Sequence, residues 1–202
     1  MQILKGDIQE KIINAAEEVF LERGYKDASM REIALRSGVT VSNIYHYFTN
    51  KDEIFRTILK PVLNELYAMI YNHNAEQMTI DVFINQDYQK ACVQEYIELV
   101  SVHRERLRLL LFQAQGSCME NFRSEYTDLM TRTISIFFQG MKQKYPHINI
   151  AITGFLIHLN TVWLFALLEE LVLHHLKKEE MQKFITEYIA FETAGWKELM
   201  NV

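Results

Sequence analysis

Apolar residues Ile8, Ile12, Ala15, Ala16, Val19 and Phe20 recur between Asp7 and Arg23 at the three- and four-residue intervals that line one face of an α-helix. Gly24 closes the run, where glycine suits the left-handed residue after a helix end. A shorter run from about Met30 to Ser37 opens with Ser29 three residues before Glu32, the spacing of a capping box, and stops at Gly38. Thr40 caps a third short run carrying Val41 to Tyr47. Two short helices about a glycine-centred turn predict a helix-turn-helix. A fourth helix is predicted from Lys51 to about Asn72, with Asn50 and Glu53 again at the capping spacing and Pro61 inside it as the expected kink. Residues 72–87 are polar and aperiodic and read as a loop. Helical periodicity returns over 88–103, 105–114, 119–144, 148–176 and 179–200, punctuated by Gly116, Pro146 and the Lys177–Lys178 pair.

The predicted class is therefore all-α. With 2 prolines and 7 glycines in 202 residues, little turn chemistry remains for a many-stranded sheet, and 49% hydrophobic content supports one large core or a small domain joined to a larger one. Cys92 and Cys118 stand far apart and fit no metal-ligand spacing, so no metal or other cofactor is expected. The opening residues are too short and polar for a membrane anchor, and a reducing cytoplasm is the expected compartment. The stretch 146–168 lacks Asp, Glu, Lys and Arg and approaches the roughly 20 residues a bilayer needs. Asn149, Thr153 and Asn160 share one face of it, however, so a helix buried on two sides is expected and no membrane partner. The net charge of −5 does not exclude nucleic acid: the first 60 residues hold nine basic and nine acidic side chains, and the deficit lies in the rest.

In the third run, Val41, Ile44 and Phe48 form an inner stripe, with Ser42, Asn43, Tyr45, His46 and Tyr47 spread over the remaining surface. Phe48 is expected in the core. A helix with short polar groups at its start and hydrogen-bonding aromatics beyond is suited to a major groove, and Lys51 in the next first turn to a phosphate.

The stretch "SMREIALRSGVTVSNIYHYFTNKDEIF", residues 29–55, resembles the N-terminal signature of the tetracycline-repressor (TetR/AcrR) family of bacterial transcription regulators, and "IINAAEEVFLERGYKDASM" before it resembles that family's first helix. The resemblance implies an N-terminal three-helix helix-turn-helix bundle, residues 4–64, joined by the fourth helix to a larger C-terminal helical domain, residues 65–202, for ligand binding and dimerisation. It implies backbone contacts from Ser29 and Arg31, a recognition helix opened by Thr40, Val41, Ser42 and Asn43, an exposed aromatic part of Tyr45, His46 and Tyr47, and a phosphate contact from Lys51. Ser37 and Asn43 depart from the family's common residues, and Asn43 leaves the base preference open, since asparagine pairs with adenine or with phosphate.

A reading helix this short needs two copies on adjacent half-sites. The final run offers Phe184, Tyr188, Phe191, Gly195 and Leu199 as a stripe, with Trp196 beside it, as the candidate homodimer interface. Candidate effector contacts are Phe112, Cys118, Phe122, Tyr126, His158, Trp163 and Phe165, which combine apolar bulk with polar tips. With no Lys or Arg in the apolar run from Ile148 to Leu168, a neutral or cationic effector is favoured over an anion. Family likeness implies a ligand-responsive regulator, repressing by default, that binds a palindromic double-stranded DNA operator and is released by a small apolar effector. It further implies that the effector moves the fourth helix. An enzyme is not expected: His174 and His175 are adjacent rather than one turn apart, Cys118 has no evident base, and no phosphate-binding glycine loop occurs. The alternatives are a helical protein-interaction module whose head does not bind DNA and, behind it, a small-molecule enzyme.

Overall fold

The computed structural model describes residues 5–73, 83 and 85–202; most of the stretch read as a loop over 72–87 lies outside the described residues. Among the described residues there are eight helices and no strand: α1 Lys5–Asp27, α2 Met30–Ser37, α3 Val41–Tyr45, α4 Lys51–His73, α5 Gln86–Phe112, α6 Phe122–Lys144, α7 Gly154–Leu173 and α8 Lys178–Met200. The all-α class read from periodicity is the class observed. Two units divide the chain. One gathers residues up to Asn64 with Glu105–Phe122, the other Glu65–Arg104 with Arg123–Val202.

The first unit is built on the inward stripes of α1 to α4. Ile12, Val19, Phe20, Ile33, Ile44, Ile54 and Phe55 are buried completely, and Phe20, Tyr25 and Phe55 form an aromatic cluster with ring centroids 5.0 to 5.7 Å apart. α1 leaves helical geometry at Gly24 (φ 73, ψ 165), a region open essentially to glycine alone. Just beyond it, the Tyr25 amide donates to the Gln113 carbonyl at 2.9 Å and the Gln113 side chain donates to Leu21 O at 3.2 Å. The segment Glu105–Phe122 thus caps α1.

At the start of α2, Ser29 Oγ accepts from the Glu32 amide at 3.1 Å. The Glu32 carboxylate completes no capping box; it turns to Arg36 at 3.1 Å and Arg23 at 3.7 Å, while Arg36 also donates to Glu22 at 2.7 Å. Gly38 ends α2 in the left-handed region (φ 69, ψ 23), and the Val39 amide returns to Ala34 O at 3.1 Å. Nothing lies within 4 Å of where its Cβ would be, so a substitution there costs through the backbone alone. Gly38→Val is expected to destabilise the protein by about 2 kcal/mol, read as a lower urea midpoint at unchanged slope.

In the second unit the helix expected from Ile148 begins only at Gly154, capped by Thr153, whose hydroxyl accepts from Leu156 N at 3.3 Å. The reason is tertiary. Asn149 donates from its amide to Met200 O at 2.9 Å and from its side chain to Leu199 O at 2.8 Å, so the segment before α7 closes the end of α8. Lys142 takes the Pro146 and Ile148 carbonyls at 2.7 and 2.6 Å, and Ile148 is fully buried beside Phe138, Met141, Ile157 and Met200. The two runs expected over 88–103 and 105–114 are one helix, α5, interrupted where His103 adopts φ −116, ψ 20; the buried His103 ring lies 2.8 Å from Glu65 Oε1. Pro61 lies exposed inside α4, which stays one helix through it.

By length and composition α7 could cross a membrane. Its buried face carries Ile157, Thr161, Leu164, Phe165, Leu168 and Leu171, and Arg104 donates to Leu171 O and Val172 O near its end at 2.6 and 2.9 Å. These are the contacts of a core helix.

Candidate functional site

α3 stands on two buried supports. Ile44 and Phe48 are buried in the first unit, Thr40 Oγ1 accepts from the Asn43 amide at 3.1 Å to start the helix, and the Tyr47 and Phe48 amides return to Ile44 O at 2.9 and 3.0 Å to end it. The helix is shorter than expected, ending at Tyr45, with His46 as its C-cap. With its base fixed, the outward side carries exposed Thr40, Ser42, Tyr45 and His46, and half-buried Val41, Asn43 and Tyr47. Tyr45 is 52% exposed, a large aromatic kept in solvent although apolar neighbours lie one turn away. Ser29 and Arg31 are exposed at the start of α2, and Arg31 forms no ion pair among the described residues. Arg36, by contrast, is occupied by Glu22 and Glu32.

Lys51 is placed differently from the free phosphate ligand expected of it. Its Nζ donates to Tyr25 O at 2.7 Å and Ala28 O at 2.9 Å and lies 4.1 Å from the centroid of the Tyr25 ring. Burial draws the ammonium below its ordinary range, opposed by Asp52 and Asp27, and burial pushes the Tyr25 hydroxyl well above its own. Two of three donors serve the junction between α1 and α2, which leaves one for a ligand.

A cavity of about 180 Å³ lies within the second unit, walled by α5, α6, α7 and α8. Tyr88, Cys92 and Tyr96 enter from α5, Asn160 from α7, and Glu192 and Trp196 from α8. The Glu192 carboxylate accepts from Asn160 Nδ2 and from Trp196 Nε1, the latter at 3.2 Å. Burial pushes this carboxyl above its ordinary range, and the hydrogen bonds from Asn160, Trp196 and Tyr188 pull it back. Burial also raises the Cys92 thiol to about 11.

None of the seven residues expected to contact an effector lines this cavity. Phe112 and Cys118 are exposed in the first unit, where the Cys118 amide donates to Asp52 Oδ1 at 2.7 Å, and Phe122 is buried in that unit. Tyr126 and Phe165 are core: the rings meet edge to face at 5.4 Å, and the tyrosine hydroxyl donates to Leu66 O at 2.8 Å. His158 stacks on Phe155 with centroids 6.3 Å apart, and Trp163 is exposed. The residues that do line the cavity carry a signal legible in the sequence: Tyr88, Cys92 and Tyr96, and again Tyr188, Glu192 and Trp196, stand one helical turn apart, the second set with a carboxylate inside an aromatic stripe.

Of the residues expected at a dimer interface, Tyr188 lines the cavity, and Trp196 lies between the cavity and a shallow recess on the surface, lining both. Phe184, Phe191, Gly195 and Leu199 are exposed on α8, and Phe155 and Trp163 on α7. Trp163, Phe191, Gly195 and Leu199 line this shallow, mostly apolar recess of about 100 Å³, which shares Asn160, Glu192 and Trp196 with the cavity.

Comparison with known proteins is consistent with this geometry. A family model described as bacterial regulatory proteins, tetR family, matches residues 12–58. The transcriptional activator FasR of Mycolicibacterium smegmatis is 30% identical over 100 residues, covering 50% of this chain and 43% of that protein. The transcriptional repressor BepR of Brucella suis is 45% identical over 54 residues, 27% of this chain and 26% of that one. The matched stretch is less than half the length of either relative. Among solved structures, the regulator FadR of Bacillus subtilis, in complex with stearoyl-CoA, superposes with a TM-score of 0.60 at 17% identity over 90% of this chain and 97% of that one, a likeness of fold.

Proposed function

We propose, from the match of residues 12–58 to the tetR family model of bacterial regulatory proteins, a cytoplasmic, ligand-responsive transcriptional regulator that binds a palindromic operator as a homodimer and represses until an effector releases it. The observation that carries the reading is α3, fixed from below by Ile44 and Phe48 and presenting Thr40, Ser42, Tyr45 and His46 to solvent. In this reading Val41, Asn43 and Tyr47 complete the base-facing and sugar-facing surface, and Ser29, Arg31 and Lys51 grip phosphates beside it. The head, residues 4–64, is the DNA-binding domain, and residues 65–202 carry effector binding and dimerisation. Support for dimerisation is the exposed apolar face of α7 and α8. Support for an effector is the cavity. DNA and effector then weaken each other's binding reciprocally.

Selection of bound sequences from a random duplex library tests this. An inverted repeat is expected, with affinity falling steeply with salt. Asn43→Ala is expected to change the preferred base at one position per half-site, with a loss of about 1 to 3 kcal/mol against the parent's operator. The neutral head leaves a second reading, a protein-interaction module, which selects no duplex at any salt concentration.

A further inference from the structure

Glu192 stands in the wall of the cavity as a carboxylate without a countercharge. Its acceptor oxygen is held by Asn160 and Trp196, and the Tyr188 hydroxyl adds a third donor. Among the described residues, no Lys, Arg or His lines the cavity and none pairs with Glu192. Neutral donors orient a carboxylate and favour its ionised form, yet they do not cancel its charge, and an uncompensated charge drawn from water is costly. The surrounding surface is aromatic: Tyr88, Tyr96, Phe138 and Trp196 all reach the cavity, and the last two meet edge to face with centroids 5.5 Å apart. Aromatic faces attract cations, most strongly where water is excluded.

The geometry points to a lipophilic organic cation, an amine or quaternary ammonium with a compact apolar body, as the effector class of this cavity, with Glu192 as its counterion. This rests on the reading of the second unit as the effector-binding part of a regulator. The ammonium group lies against the Glu192 carboxylate and the aromatic rings, and the apolar body fills the remaining space. A carboxylate or phosphate ligand meets like charge at the same point. The charge at Glu192 therefore separates this cavity from one built for an anionic effector. The cavity is also smaller than the range usual for drug-sized ligands, which favours a compact cation.

The test uses the full chain and three probes of similar shape: benzyltrimethylammonium, its neutral carbon isostere neopentylbenzene, and 3-phenylpropanoate. Titration calorimetry is expected to rank the cation at least about tenfold tighter than the isostere, with the anion weakest. Glu192→Gln is expected to remove that preference, lowering cation affinity about tenfold while leaving the isostere unchanged. The ranking in the parent protein requires no variant, so a Glu192→Gln chain that fails to fold leaves the proposal testable. Tightest binding of the isostere or the anion overturns it, as does a folded Glu192→Gln protein that keeps the preference. Duplex binding measured on the same preparation without probe separates the two readings. A chain that selects a duplex but ranks the anion first loses this effector class alone, whereas one that ranks the cation first and selects no duplex loses the regulator reading alone.

Discussion

Lys51→Met is expected to lower the unfolding free energy by about 3 kcal/mol and to make the salt dependence of operator binding shallower by about one counterion. The stability loss follows from the two carbonyls that share the ammonium. Tyr25 and Ala28 are both buried, and their carbonyls lie just beyond the glycine that ends the regular part of α1, where a cation is also favoured by the helix dipole. Methionine keeps most of the aliphatic stem above the Tyr25 ring but donates to neither carbonyl. Charge-assisted bonds contribute about 1.5 kcal/mol each at the low end of their range, which is the appropriate end for a half-buried lysine. The change in slope follows from the third donor, in the reading that it takes a phosphate. Urea denaturation and a salt series on the selected operator measure the two effects separately. An unfolding free energy within about 0.5 kcal/mol of the parent's removes the anchoring role, and an unchanged slope removes the phosphate contact.

The helix-turn-helix was legible because its signals are local. Ser29, Gly38 and Thr40 each act on amides and carbonyls within five residues of themselves, so spacing alone locates the turn and both helix starts. Glu32 and Glu53 show the limit of such reading. Glu32 prefers two arginines, one of them on α1, to its own cap, and Glu53 accepts from the Thr49 amide at 2.6 Å, one residue before the expected Asn50. The start of α7 was misplaced for a long-range reason: the backbone and side-chain amides of Asn149, just before it, find acceptors at the end of α8, some fifty residues away. Bulk does not distinguish residues that line a cavity from residues of the core. Tyr126 and Phe165 are as aromatic as Tyr96 and Trp196, and only tertiary placement sends the first pair into the core and the second to the cavity. What sequence does offer is chemical incongruity, a glutamate one turn from Tyr188 on one side and Trp196 on the other.

Phe191→Glu is expected to make the protein monomeric at micromolar concentration and to reduce operator affinity by at least about a thousandfold. Phe191 is 67% exposed and Phe155 74%, with Trp163, Leu199 and Phe184 near 40% on the same two helices, a density of large apolar groups rare on an isolated surface. Gly195, one turn from Phe191 and with nothing within 4 Å of its absent Cβ, leaves room for a partner's side chain or backbone. Burial of one phenylalanine contributes about 1.5 to 3 kcal/mol, and a two-fold interface counts each residue twice. Glutamate at this position removes both contributions and adds two carboxylates that must be desolvated within one apolar interface, so a loss above about 4 kcal/mol is the reasonable scale. A single α3 then meets a single half-site, and the advantage of two linked half-sites disappears. The head's helices lie in the other unit, so the far-ultraviolet spectrum and the response to Gly38→Val are expected to stay those of the parent. Sedimentation of the free protein and titration of the selected duplex measure the outcome. A Phe191→Glu protein that remains dimeric moves the two-fold contact off this face, and a monomer with undiminished operator affinity removes the need for paired heads.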